Sequence, residues 1–137
     1  MAIVYVIGSL RNPCIPQVSK ALRDAKHEVF DDWHAAGPEA DDCWKRYEQE
    51  RGRTYIEALS GYAARHVFDF DKLHLDRCDT AVLVLPAGKS GHLELGYMLG
   101  KGKRGFVLLE ESNDRWDVMY QFATGVAVSL EKLVELI

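Results

Sequence analysis

Glu94, in a segment rich in small residues, is the residue of this chain best suited to covalent chemistry. It follows an apolar run, and the pattern places it in the first turn of a predicted helix. The positive amino end of a helix favours the ionised form of a carboxylate there. Held beside a sugar C1′ carbon, such a carboxylate can form a glycosyl ester, as in retaining glycoside chemistry. The alternative is structural, since glutamates are common at helix starts for the same electrostatic reason.

A second carboxylate, Asp71, precedes the same apolar run, with Asp76 and Asp79 nearby. Beside a bound sugar, Asp71 could orient a hydroxyl group or pass a proton to a departing base. The commoner interpretation of such residues is surface charge on a helix. The two interpretations differ in whether Asp71 faces Glu94.

The segment Gly8-Ser9-Leu10-Arg11 lies between a predicted strand and a predicted helix. A glycine there lets the backbone approach a ligand closely. Ser9 and the amides of the helix start can hydrogen-bond an anion, and Arg11 can bind phosphate or carboxylate through two parallel N–H bonds. The segment has neither the GK[ST] ending of a Walker loop nor the GxGxxG fingerprint of dinucleotide sites. The alternative is an ordinary turn that carries a surface arginine.

Three other patterns could suggest a metal site or a second nucleophile, but each is weak. We therefore predict no metal and no cofactor. His92-Leu93-Glu94 matches the HxE of zinc deaminases, but the PCxxC that should follow is absent. His34 lies among acidic residues that are more typical of a solvated loop than of a metal site. Cys14 could be a nucleophile, but no histidine partner can be assigned to it.

The elements that must position these residues alternate between strands and helices. The apolar runs 2–7, 80–85 and 105–109 predict strands, and 27–30 and 125–128 predict two shorter ones. Helical spacing predicts helices near 15–25, 54–66, 70–77, 92–99 and 130–136. Such alternation is typical of an α/β fold with a parallel sheet, here a flavodoxin- or Rossmann-like three-layer sandwich of about five strands.

Residues 31–53 predict a long loop insertion, with room for a helical turn in its second half. Trp33 and Trp44 lie in it and could stack on a base. Ligands of open parallel sheets bind beyond the carboxyl ends of the strands. That rule selects the segments 8–13, 31–53 and 86–94 for the chemistry.

Composition narrows the class of protein. A chain of 137 residues fits one domain, and its net charge of −4 argues against nonspecific binding of a nucleic acid polymer. Its three cysteines form no CxxC pair, which favours a reducing cytoplasm over a disulfide framework. The sequence shows no signal peptide and no apolar stretch long enough for a membrane span, so no membrane partner is predicted.

In order and spacing, these segments resemble the nucleoside 2-deoxyribosyltransferase family, most closely its 2′-deoxynucleoside 5′-monophosphate N-hydrolases. Residues 5–11 (YVIGSLR) resemble the opening Y-x-x-G-S-[IL]-R of the hydrolases. The spacing of Asp71 and Asp79, the strand that follows, and Glu94-Leu95-Gly96-Tyr97 resemble the family's D-x7-D, strand, E-x-G-[YA] pattern. The resemblance covers roughly residues 3–110.

The resemblance implies a role for each site residue. It implies that Glu94 is the nucleophile, that Asp71 contacts the deoxyribose and assists the leaving base, and that the Tyr5 hydroxyl positions the nucleophile. Gly8, Ser9, Leu10 and Arg11 would bind the substrate, with Ser9 and Arg11 in the pocket for its 5′-phosphate. The family forms homodimers or higher homo-oligomers in which a neighbouring subunit completes the site, here from around 117–120.

Three features depart from the family pattern. Gly88 stands where the family often has Ser or Asp at the 5′ end of the sugar, although Ser90 could replace it. Asp117 stands where the hydrolases place a serine near the phosphate, and an aspartate would repel phosphate. The insertion at 31–53 is longer than the family pattern leads us to expect, so the pattern does not predict which base the substrate carries.

The predicted function is therefore cleavage or transfer of an N-glycosidic bond in a deoxynucleoside or deoxynucleoside 5′-monophosphate. Water would make the chain a hydrolase, and a second base would make it a transferase. Two alternatives stay open at this point. One is a nucleotide-binding sensor or sequestering protein that uses the same pocket without turnover. The other is a glycosidase that acts on a ribonucleotide or on NAD.

Overall fold

In the computed structural model, which describes residues 1–112 and 115–137, the chain forms one five-stranded sheet. The strands are β1 (Ile3–Ile7), β2 (Glu28–Phe30), β3 (Thr80–Val84), β4 (Arg104–Leu108) and β5 (Gly125–Ala127). Their order is β2-β1-β3-β4-β5, and every neighbouring pair is parallel. The prediction of a parallel α/β sheet of about five strands is confirmed.

In the described residues, six α-helices and two 3-10 helices accompany the strands, and the last α-helix follows β5. The α-helices are α1 (Ile15–Asp24), α2 (Ala40–Glu50), α3 (Tyr55–Leu59), α4 (Tyr62–Arg77), α5 (Lys89–Gly100) and α6 (Leu130–Leu136). The 3-10 helices span Asp32–Ala36 and Val118–Phe122. Within the described residues, no helix combines the length and the apolar character needed to cross a bilayer.

Alternation along β1 divides the core into two layers. Val4 and Val6 pack with α1 and α6 on one face of the sheet. Tyr5 and Ile7 point to the opposite face and pack with α4 and α5, because successive side chains of a strand point to opposite sides. The three-layer sandwich is thus confirmed, and this parity places Tyr5 on the side of α4 and α5.

The helices between β2 and β3 differ from their predicted bounds. The pattern predicts helices at 54–66 and 70–77, whereas the chain breaks at Ser60–Gly61 and then runs without interruption through α4. A capping box between Thr54 and Glu57 begins α3, because each side chain binds the other residue's backbone N–H group. No proline or glycine interrupts the chain after Gly61 until α4 ends, so one long helix forms.

Residues 31–53, predicted as a long loop, are mostly helical. Acidic Asp41 and Asp42 occupy the first turn of α2, where they complement the helix dipole. Glu48, only 3 % exposed, pairs with Arg53 at 3.1 Å and ties the end of α2 to the chain that follows. At the other end, the Trp33 indole donates to the Val6 carbonyl at 2.8 Å, just beyond the last residue pair of β1 and β2.

Candidate functional site

Three separate elements bring Tyr5, Asp71 and Glu94 together. Tyr5 lies on β1, Asp71 on α4 and Glu94 on α5. The Tyr5 hydroxyl is positioned to donate to Glu94, and the charge of Asp71 acts on both other groups. These are the three residues to which the resemblance assigns catalysis, and they converge on the face of the sheet that α4 and α5 cover.

Tyr5 is held rigidly by aromatic packing. It is 1 % exposed, and its ring lies 5.1 Å from that of Phe30. Phe30 in turn stacks on His74 at 3.9 Å, with the two rings nearly parallel. Burial, reinforced by the nearby charges of Glu94 and Asp71, raises the pKa of the Tyr5 hydroxyl far above its usual range. Tyr5 therefore keeps its proton and acts as a hydrogen-bond donor.

The environment of Glu94 contradicts the sequence-based expectation in two ways. Helix α5 begins at Lys89 rather than His92, so Glu94 lies in the second turn and not at the amino end. Its carboxyl is also not held in the ionised form. Burial raises its pKa to about 7, and the charge of Asp71 adds to that rise, while the Tyr5 hydrogen bond opposes it. Burial outweighs the helix dipole here because the dipole effect fades within the first turn.

Gly91 explains why α5 can begin early and press against the sheet. A Cβ atom at this position would lie 3.1 Å from Leu83 Cδ1 and 3.3 Å from Ile7 Cγ2. The missing side chain lets the first turn of α5 approach strands β1 and β3 closely.

One oxygen of Glu94, Oε2, is buried and has no hydrogen-bond partner among the described residues. Such an oxygen keeps its lone pairs available.

Asp71 is the second carboxyl group whose pKa approaches neutrality. Partial burial on α4 raises its pKa to about 6. Two neighbouring carboxyls with pKa values near neutral pH can exchange protons with a substrate without a large energetic cost. The arrangement thus suits acid–base and nucleophilic chemistry at one carbon, and sites with this type of perturbation are often functional.

The loop between β1 and α1 has a fixed shape. A Cβ atom on Gly8 would lie 2.6 Å from Ile15 Cδ1, so a larger residue would force the end of the Ile15 side chain to move. The Ser9 hydroxyl accepts a hydrogen bond from the Arg11 backbone N–H at 3.1 Å, and Leu10 is half-buried. The Arg11 side chain, however, does not extend freely, because it contacts the segment between β2 and α3.

Arg11 is engaged by a residue that the sequence did not single out for it. Its Nη2 pairs with the Asp42 carboxylate at 2.7 Å, and its Nε donates to the Pro38 carbonyl at 3.3 Å. Asp42 lies 31 positions away along the chain. No periodicity or motif could have indicated this pair, because it depends on how α2 docks against the loop.

The predicted residues after β3 lie at the start of α5. Gly88 is the N-cap of the helix, with open space where a Cβ atom would be, and Ser90 is exposed in the first turn. His92 links this turn to a distant segment. Its Nδ1 lies 2.8 Å from the Gly88 carbonyl oxygen, and its Nε2 lies 2.9 Å from the Tyr120 hydroxyl. Sequence reasoning gave His92 no role, and the structure gives it this link.

Asp117, His34 and Cys14 are the remaining residues that the sequence raised as candidates. Asp117 caps the 3-10 helix Val118–Phe122 by accepting from the Met119 N–H at 2.8 Å. His34 Nε2 lies 3.2 Å from the Asn12 carbonyl oxygen. In the part of the chain that the structure describes, no three His, Cys, Asp or Glu side chains cluster as a metal site would require. Cys14, considered as a nucleophile, is exposed at the N-cap of α1.

Comparison with known proteins finds similarity in structure but none in sequence. No protein-family model matches this sequence, and no curated protein matches it. Among solved structures, the fold is similar to that of the Clostridium botulinum CMP N-glycosidase BcmB, with a TM-score of 0.52 and 14 % sequence identity. The alignment covers 96 % of this chain and 95 % of that one. At this identity the similarity shows that the two proteins share the Rossmann-like α/β fold over nearly their whole lengths.

Proposed function

We propose that this chain cleaves or transfers the N-glycosidic bond of a deoxynucleoside or deoxynucleoside 5′-monophosphate, with Glu94 as the nucleophile. The observation that carries this proposal is the convergence of Tyr5, Asp71 and Glu94 from three separate elements. A buried carboxylate beside a second carboxyl and a tyrosine donor is costly for folding, and it is useful where a carboxylate must react.

The chemistry follows from the state of each group. Ionised Glu94 attacks C1′ through a carboxylate oxygen, and the C1′–N bond breaks with its electron pair leaving on the base. Asp71, whose pKa of about 6 lies below that of Glu94, supplies a proton to that base from the minor state in which Asp71 rather than Glu94 carries the proton. Water then attacks C1′, and the ester bond between C1′ and Glu94 breaks. The proton that the water loses passes to a carboxylate. A second base in place of water would give transfer instead of hydrolysis.

The loop from Gly8 to Arg11 is proposed to bind the 5′ end of the substrate. Ser9 and Arg11 offer a hydroxyl and a guanidinium at the carboxyl end of β1, where α/β folds bind ligands. Gly88 and Ser90 at the start of α5 approach the same edge of the sheet. Arg11 favours a phosphorylated substrate and therefore the hydrolase over the transferase.

A ribonucleotide is the second candidate substrate, and one observation favours it. The structural neighbour is described as a CMP N-glycosidase, which acts on a ribonucleotide. The same three catalytic groups would serve either sugar, so the candidates differ in how the site treats a 2′-hydroxyl. NAD would require space for a second nucleotide. A binding protein without turnover would not need a buried nucleophile.

We further propose that the active form is a homodimer or higher homo-oligomer. Large apolar side chains are exposed on α4, on α5 and on the segment that His92 links to α5. They are Phe68, Leu73, Leu93, Val118, Met119 and Phe122. A second copy of the chain that covers them would lie beside the helix that carries Glu94. Light scattering should give at least twice the mass of the chain, and Phe122→Ser should lower that mass together with the rate of base release.

The test of the proposed function is chromatography of the bases released from a panel of nucleosides and 5′-monophosphates with ribose or deoxyribose. Parallel reactions contain a second acceptor base, which separates hydrolysis from transfer. We expect release by the wild-type protein and none by Glu94→Gln, with Glu50→Gln, an exposed glutamate of α2, as the matched control. Equal release by wild type and Glu94→Gln would refute the nucleophile, and release from no substrate would leave a binding protein.

A further inference from the structure

The contacts of Arg11 divide its guanidinium into an occupied and an open part. Nε donates to the Pro38 carbonyl and Nη2 to Asp42, so the side edge of the guanidinium is fully engaged by residues of the insertion. A bidentate grip on a phosphate uses two adjacent N–H groups of the guanidinium. With Asp42 in place, a phosphate loses that edge and meets a carboxylate beside it.

The position of Asp42 is fixed by the rest of the insertion. Trp33 and His34 fasten its beginning to β1 and to the β1–α1 loop. The ion pair of buried Glu48 with partly buried Arg53 fastens the end of α2. Asp42 lies between these two anchors, in the first turn of α2, and is thereby held beside Arg11. The pair itself is exposed, with 67 % of the Arg11 side chain and 57 % of the Asp42 side chain accessible to solvent.

We propose that Asp42 is a specificity-determining residue that competes with the 5′-phosphate of the substrate for Arg11. This inference rests on the proposed function. Asp42 lowers the preference for a phosphorylated substrate over an unphosphorylated one, because the phosphate must displace one carboxylate contact and then tolerate the carboxylate nearby. Both partners are exposed, so the exchange involves little desolvation and its effect is moderate, about two- to fivefold in the ratio of rates.

The experiment compares Asp42→Asn with Asp41→Asn. Both variants remove one negative charge from the same turn of α2, and both side chains are exposed, but only Asp42 pairs with Arg11. For each, the kcat/KM ratio of a deoxynucleoside 5′-monophosphate to its deoxynucleoside is measured at low ionic strength. We expect Asp42→Asn to raise this ratio about two- to fivefold and Asp41→Asn to leave it near the wild-type ratio. Adding Arg11→Ala to Asp42→Asn should abolish the increase.

A binding measurement separates this inference from the proposed function. Calorimetric titration with 2-deoxyribose 5-phosphate, compared with 2-deoxyribose, requires no turnover. Asp42→Asn should tighten binding of the phosphorylated sugar by a similar factor and leave the other unchanged, even if no substrate releases a base. Equal effects of the two asparagine variants, or no binding of the phosphorylated sugar by either, would overturn the role of Asp42. Circular dichroism of each variant confirms that α2 remains folded.

Discussion

Replacing Glu94 with glutamine should make the protein more stable at alkaline pH while it abolishes base release. In the unfolded chain Glu94 ionises near its ordinary pKa of 4.5, and in the folded protein it ionises at about 7. Above pH 7 the folded state therefore carries a buried charge that the unfolded state holds in water at no cost. Below about pH 4 the group is protonated in both states, and the penalty disappears.

The magnitude follows from the two pKa values. A difference of about 2.5 pKa units, at about 1.4 kcal/mol each, costs the folded protein about 3 kcal/mol of unfolding free energy once Glu94 is fully ionised. Glutamine has nearly the same shape and no charge to bury. Its advantage should thus grow from near zero at about pH 4 to about 3 kcal/mol at about pH 8.5. In a domain of this size that corresponds to a rise of about 10 °C in Tm.

The assay is urea unfolding of the wild type and Glu94→Gln at both pH values, with thermal unfolding as a second measurement. Glu50→Gln, in which an exposed glutamate is changed, is the control and should show no such growth with pH. A glutamine variant whose advantage is the same at both pH values, or which is less stable at the higher one, would refute the reasoning. It would mean that Glu94 ionises in the folded protein as it does in water.

Two further variants test the surroundings of Glu94, and a third tests the contact between Trp33 and β1. Asp71→Asn removes a charge that raises the Glu94 pKa. The acidic limb of the pH profile of kcat/KM should therefore move from about pH 7 to lower pH, although the rate itself falls. An acidic limb that does not move would contradict the effect of the Asp71 charge on Glu94. Tyr5→Phe removes the hydrogen bond to Glu94, which lowers the Glu94 pKa. The acidic limb should therefore move to higher pH, and kcat/KM should fall by about ten- to a hundredfold. A pH profile like that of the wild type would exclude a hydrogen bond from Tyr5 to Glu94. Trp33→Phe leaves the Val6 carbonyl without the indole donor and should cost about 1–2 kcal/mol in urea unfolding, with m unchanged.

The sheet could be predicted from the sequence because its signals are local. The apolar runs 2–7, 80–85 and 105–109 coincide with β1, β3 and β4 to within about one residue, since a strand buried on both faces must be apolar along its length. The start of α5 was predicted too late. Helical periodicity is recognised from apolar residues. Lys89, Ser90 and Gly91 carry no large apolar side chain, so nothing in the pattern marks them as the start of a helix with a buried face.

The site was predictable in part, from residue types and order rather than from geometry. The resemblance selected Tyr5, Asp71 and Glu94, and the three lie together in the structure. The role expected for the helix dipole was wrong, because it relied on a helix start that lies three residues earlier. The Asp42 contact and the link from His92 to Tyr120 were invisible, since each joins segments about 30 residues apart.

By itself, the sequence determined the parallel sheet of about five strands and the short connection that follows its first strand. These follow from polarity and spacing along a few neighbouring residues, which the backbone converts directly into strands, helices and faces. Only the tertiary structure decided that Glu94 is buried with a raised pKa and that Arg11 is paired with Asp42. Solvation and charge at one atom depend on every segment packed around it, and the folded chain alone brings those segments together.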